Sequence, residues 1–164
     1  MSPIPAAGLL IGVLCAAWTF VMGFTGWYKD PSKAGAFFLV ILIEVAGLIW
    51  GLRKTADQGR TYSGQVVAGT LISIIAGVII VISSLLFTNV FFPEYFTELE
   101  AGYREMLAAQ GKTEAEIASE IEVWAAAQTP MTQAMNGFIG TFVTGVVVSA
   151  IVSLWVRARP AGRM

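Results

Sequence analysis

Residues 5–28, 35–52, 64–92 and 131–156 make up 97 of the chain's 164 residues and carry one charge, Glu44, while the other 67 residues carry the remaining 20 charges. A helix needs about 20 predominantly apolar residues to cross a hydrocarbon core about 30 Å thick. Backbone groups left unpaired in lipid are too costly to tolerate, so each run must satisfy its own hydrogen bonds. Continuous apolar runs of this length do not fit the short alternating strands of an outer-membrane barrel. The pattern predicts an all-α polytopic membrane protein. Residues 1–164 form one membrane domain, an up-down bundle of four transmembrane helices, with an external amphipathic helical hairpin at residues 93–130 between the third and fourth. The charged fraction of 13% agrees, since soluble domains average about 25%.

The first run differs from a secretion signal, because no Lys or Arg precedes it and it is longer than a signal's apolar region. Leu14 ahead of Cys15 does not suit lipoprotein processing. This segment is expected to remain as a permanent helix.

Composition removes several kinds of chemistry. The chain has no histidine, which excludes His-ligated haem, chlorophyll or zinc and a His general base. The one cysteine, Cys15, can form no intrachain disulfide. Ten basic residues against eleven acidic ones, scattered along the chain, give no stripe for nucleic acid. No nucleophile elbow, phosphate-binding loop or metalloprotease pattern is present. External carboxylates such as Glu94, Glu98, Glu105 and Glu116 have no implied pocket in which to act as an acid–base pair. No catalytic residue, cofactor or metal is expected.

Basic residues near span ends are retained in the cytoplasm. Arg53, Lys54, Arg60, Arg157, Arg159 and Arg163 fall on the side that holds both termini. Lys29, Lys33, Arg104 and Lys112 fall on the other. The expected placement is the bacterial inner membrane with both termini cytoplasmic.

Within residues 93–130, Pro93 suits a first helical position, with Glu94 in an acidic first turn. Phe96, Leu99, Tyr103 and Leu107 recur at helical spacing until Gly111. Thr113 and Glu116 form a capping box ahead of Ile117, Ile121 and Trp124. These two stripes either pack on each other, lie on the bilayer, or make a partner-binding surface of Phe96, Leu99, Tyr103, Ile117, Ile121 and Trp124. Eight Glu against two basic residues oppose adsorption to anionic lipid.

Helices in lipid associate through small residues that let backbones approach. The fourth span carries Gly137, Thr141, Gly145, Ser149 and Ser153 at intervals of four. Gly8, Gly12 and Ala16, then Gly47 and Gly51, then Gly69, Ser73 and Gly77 do the same for the others. The bundle is expected to pack within the chain, with the fourth helix central. Trp27, Tyr28, Trp50, Tyr62, Phe91, Phe92 and Trp155 sit near span ends, as interfacial anchors do.

Glu44 lies in the middle of the second span, about 13 Å from Arg53 at 1.5 Å per residue. A midspan carboxyl is a functional candidate by default. At similar depth the other spans offer Cys15, Thr19, Ser73, Thr144 and Ser149, and no cation. The carboxyl is therefore expected to keep its proton and donate a hydrogen bond to Ser73 or a backbone carbonyl. Glu44, Ser73, Thr144 and Ser149 are the candidate intramembrane polar site. Its plain role is a bond between helices, and its sharper one is carrying a proton or cation.

The Tyr62-Ser63-Gly64-Gln65 start of the third helix, the Gly111-Lys112-Thr113-Glu114-Ala115-Glu116-Ile117 turn, and Pro130 ahead of a glycine-bearing last span complete the pattern. With these features the chain resembles a bacterial family of four-helix membrane proteins catalogued as a domain of unknown function, in the DUF four-thousand series. The resemblance implies a fold and a membrane location and carries no activity or site residue with it. The expected function is that of a non-catalytic accessory or assembly subunit. Its partners would be membrane lipids and other membrane-protein subunits of a larger complex, respiratory or photosynthetic for example. A small proton- or cation-coupled transporter or channel using Glu44 is the alternative.

Overall fold

A computed structural model describes residues 2–30 and 32–156, so the expected basic tail of Arg157, Arg159 and Arg163 lies outside the described residues. Among the described residues there are helices and turns and no strand. Six α-helices follow in order: α1 (Pro3–Phe24), α2 (Leu39–Ala56), α3 (Tyr62–Leu86), α4 (Tyr95–Ala109), α5 (Glu114–Ala127) and α6 (Pro130–Val152). Four segments are long and apolar enough to cross a membrane: α1, α2 with the 3-10 turn that leads into it, α3 with the π turn that follows it, and α6. The protein is a multi-pass membrane protein with α4 and α5 forming a separate hairpin.

The helix ends carry the expected signals with small shifts. Pro3 opens α1, and Pro130 opens α6 behind Thr129, whose hydroxyl accepts from the Thr132 N–H at 3.1 Å. Pro93 precedes α4, because Glu94 takes the N-cap position and the helix begins at Tyr95. Gly111 ends that segment with φ +80°, a left-handed conformation that a side chain would strain. The Thr113–Glu116 capping box forms with both of its hydrogen bonds.

Small residues set the helix contacts. Antiparallel α1 and α2 meet where Ile11 seats on Gly47 and Ala7 on Gly51. Parallel α1 and α3 meet where Ile75 and Ile79 lie over Gly8 and Gly12. Antiparallel α3 and α6 interlock reciprocally, Ser149 resting on Gly69 and Ser73 on Gly145, with Phe138 over Gly77. Around the bundle the order is α1, α2, α6, α3, with α2 and α3 across the short diagonal.

This corrects the expectation of a central fourth helix. Span three is the hub, touching the other three, whereas α6 packs on α3 and α2. The reason is that α3 has two usable faces: a small-residue face that receives α6, and an isoleucine face that fills the glycine notches of α1. The α6 stripe serves essentially one neighbour. The apolar core runs through Ala7, Ile11, Leu48, Leu52, Ala68, Ile72 and Ala76, each fully or almost fully buried.

At the hairpin end α3 widens into a π turn over Phe87–Phe91. Phe20, Phe87, Phe91, Phe92 and Tyr95 gather there, with ring centroids 5.1 Å apart for Phe20–Phe91, 4.5 Å for Phe87–Phe92 and 5.3 Å for Phe87–Tyr95. Edge-to-face and offset aromatic contacts of this kind add to the apolar burial. They clamp the end of α1 to the start of the hairpin.

Candidate functional site

Polar side chains gather in the bundle interior around Glu44 and at the junction between bundle and hairpin, and a buried Thr55–Gln65 pair ties α2 to α3.

Glu44 is 5% exposed, and its Oε1 has no hydrogen-bond partner among the described residues. Ser73, 1% exposed, and Ser149, fully buried, also have hydroxyl oxygens without partners. The three residues come from α2, α3 and α6. A Cβ placed on Gly145 would lie 1.7 Å from Ser73 Oγ and 3.8 Å from Glu44 Oε1, so both oxygens converge on one point beside that glycine. Ser149 follows Gly145 by one turn of α6 and rests on Gly69, one turn of α3 before Ser73. Cys15 of α1 is 5% exposed, its Sγ 3.8 Å from the carbonyl oxygen of Val40, one turn before Glu44 on α2.

The expected direct hydrogen bond from Glu44 to Ser73 is not formed. Ser73 is committed to the close α3–α6 contact, and its hydroxyl points at Gly145. Of the four residues expected to form the polar site, Glu44, Ser73 and Ser149 are brought together in the interior. Thr144 is half-buried beside the stripe, because neighbouring positions on a helix are turned about 100° from one another.

At the junction, Glu98 of α4 accepts from Tyr28 Oη and, at 2.6 Å, from Lys29 Nζ. The Lys29 ammonium, followed by the Tyr28 hydroxyl, holds the Glu98 carboxyl below the usual carboxylate range. Burial, followed by the hydrogen bond to Glu98, pushes the Tyr28 phenol above its ordinary value. Tyr95 is likewise raised by burial, partly offset by the hydrogen bond that Gln133 donates to it at 3.3 Å. A cavity of about 420 Å³ opens between Phe24, Tyr28, Phe92, Tyr95 and Glu98. A second of about 390 Å³ is lined mostly by apolar groups, among them Met22, Phe37, Phe38, Phe87 and Leu99.

The expected partner-binding surface is largely turned inward. Ile117 and Ile121, 3% and 4% exposed, close on Leu107 to form the hairpin's own core, with Tyr103 packed against it. Tyr103 and Trp124 rings lie 5.6 Å apart. Phe96 is half-buried beside Tyr95, and Leu99 lines the second cavity. The two stripes find each other because the Gly111 turn folds the helices back at short range. The outward face carries glutamates such as Glu105, Glu114 and Glu122, with Met106 and Val123 exposed among them.

Two polar arrangements were not anticipated. Thr55 and Gln65, both fully buried, bond to each other, and Gln65 Nε2 donates to the Leu52 carbonyl at 3.0 Å, tying α2 to α3. Gln65 stands four residues before Gly69 on the stripe continued by Ser73 and Gly77, which is a sequence signal for it. The Tyr28 and Lys29 contacts to Glu98 bridge about 70 residues and leave no local signal. Among the described residues no three acidic or cysteine side chains are grouped to hold a metal ion.

No curated protein and no solved structure matches the chain. The chain belongs to the family described as Protein of unknown function (DUF4199), whose sequence model matches residues 7–158.

Proposed function

We propose that this protein is a non-catalytic accessory or assembly subunit of a larger membrane complex, and that the hairpin is its docking element on the outer face of a bacterial inner membrane. The observation that carries this reading is how the hairpin is built. It has its own core of Leu107, Ile117 and Ile121, a complete capping box, and a narrow attachment to the bundle through Glu98 and Tyr95. A self-supporting element of this kind presents a fixed acidic surface, which steers basic partner surfaces by long-range attraction. The second reading, proton- or cation-coupled transport, is favoured by the unpartnered Glu44 oxygen.

The test replaces residues 94–129 with a Gly/Ser linker of about 12 residues, which reaches roughly 20 Å. Mild-detergent purification and native mass analysis should give stoichiometric partner chains with the full protein and none with the linker variant, which still inserts. A wild-type protein that purifies only as monomer or homodimer overturns the subunit reading. Partners retained by the linker variant overturn the hairpin's role.

Orientation is read from the basic residues Arg53, Lys54 and Arg60 at the end opposite the hairpin. With Cys15 replaced by Ala, a membrane-impermeant maleimide should label Glu116→Cys in intact cells, and Arg60→Cys only after permeabilisation. Labelling of both from outside would overturn the topology.

A further inference from the structure

We propose that Glu44 and Ser73, supported by Ser149, form an intramembrane binding site for one small exchangeable monovalent cation, with Na+ competing against a proton for the Glu44 carboxyl. This stands apart from the docking reading, since binding at Glu44 requires neither the hairpin nor a partner.

The first argument is charge. Glu44 is 5% exposed and sits mid-span; α1, α3 and α6 contain no Lys or Arg, and the basic residues of its own helix, Arg53 and Lys54, lie in the last turn of α2, about 13 Å or more along the axis. The elements packed around it present Cys15 from α1, Ser73 from α3, and Gly145 and Ser149 from α6, so no protein cation neutralises an ionised carboxylate. An isolated ion in such surroundings is prohibitively costly. One bound positive charge removes that cost, whereas a divalent ion would leave a net buried charge of the opposite sign.

The second argument is the donor set. Glu44 Oε1, Ser73 Oγ and Ser149 Oγ are hard oxygen donors, and none is satisfied by another protein group. Glu44 Oε1 and Ser73 Oγ lie within 4 Å of one point beside Gly145 yet do not bond to each other. An ion of Ca2+ size takes oxygens at about 2.3–2.6 Å, so an ion of similar radius such as Na+ can bridge a pair of oxygens that do not hydrogen-bond to each other. Two buried polar oxygens left unpaired beside Gly145, with a third one turn along the same α3–α6 contact, exceed what bonding between helices requires. A pure helix–helix tie would have satisfied them with one another.

The test uses the full chain in lipid nanodiscs, with dicyclohexylcarbodiimide as probe, since that reagent modifies carboxylic acids in their protonated form. At pH 6 intact-mass analysis should show a single adduct, absent from Glu44→Gln. At pH 7.5, 100 mM NaCl should slow labelling at least fivefold relative to choline chloride, and lowering the pH should restore it. Ser73→Ala should raise the NaCl needed for half-protection about tenfold, and Ser149→Ala should raise it by less, each variant being read against its own labelling in choline. The infrared C=O band of a neutral carboxylic acid, lost in Glu44→Gln, reads the same equilibrium without a reagent and should be bleached by Na+. Labelling and infrared signals that are both indifferent to Na+ overturn the proposal. So does a neutral-acid band that persists in Glu44→Gln.

Discussion

Gly69→Leu should prevent α3 and α6 from closing and cost the folded bundle about 3 kcal/mol, the upper end of what overpacking does in a dense interior. A Cβ at Gly69 would lie 1.7 Å from Ser149 Oγ and 2.5 Å from Ser149 Cβ, so the added carbon meets the root of a side chain and the helix axes must separate. Separation also lifts Ser73 off Gly145, because the two notches lie one turn apart on the same interface. Gly140 of α6 has nothing within 4 Å of its Cβ position, so Gly140→Leu should leave stability nearly unchanged. The informative variant is the exchange of Gly69→Ser with Ser149→Gly, which moves the knob to the other helix and should recover most of the loss. Detergent-titrated unfolding followed by Trp fluorescence reads all four proteins. A Gly69→Leu protein as stable as Gly140→Leu would mean that the α3–α6 contact does not hold the bundle.

Those same residues show what a sequence reveals about such a bundle. Spacing of four along α6 identifies a face that a neighbour approaches closely, since residues at that interval share one side of a helix. It does not identify the neighbour. That depends on which partner offers a complementary surface, and α3 offers one to both neighbours, a glycine notch to α6 and isoleucine knobs to α1. The hairpin divides in the same way. Thr113 and Glu116 bond within one turn, so their capping box is legible. Tyr103 and Trp124 belong to separate helices and only mark apolar faces, which would look the same whether they packed on each other or on another protein. Glu98 reads as one glutamate among eight in its segment, and only the folded chain brings Tyr28 and Lys29 to it. The depth of Glu44 follows from its position at midspan, and its burial follows from the helix face it shares with Gly47, Leu48 and Gly51. Its lack of a hydrogen-bond partner follows from the spacing of three helices, which no one-dimensional pattern encodes.

Glu44→Lys should fail to accumulate in the membrane, while Glu44→Gln should accumulate at close to the wild-type level. A lysine at the centre of a span costs about 3 kcal/mol on insertion scales, which corresponds to roughly a hundredfold shift in the balance between inserted and uninserted segment. Long basic side chains escape this cost by extending to the headgroups. That route is closed at residue 44, which faces α3 and α6 and is 5% exposed. Glutamine keeps the size and a polar head that carries no charge, so it asks of the interior no more than a neutral acid does. The comparison separates charge from shape: Lys and Gln both replace the carboxyl, and Lys alone brings an obligatory ion. Membrane-fraction immunoblotting at matched expression reads the outcome. Normal accumulation of Glu44→Lys would require water or an anion at that depth and would refute a dry interior around α2, α3 and α6. Loss of Glu44→Gln as well would mean that the carboxyl holds the helices together, making the oxygen at residue 44 a structural tie.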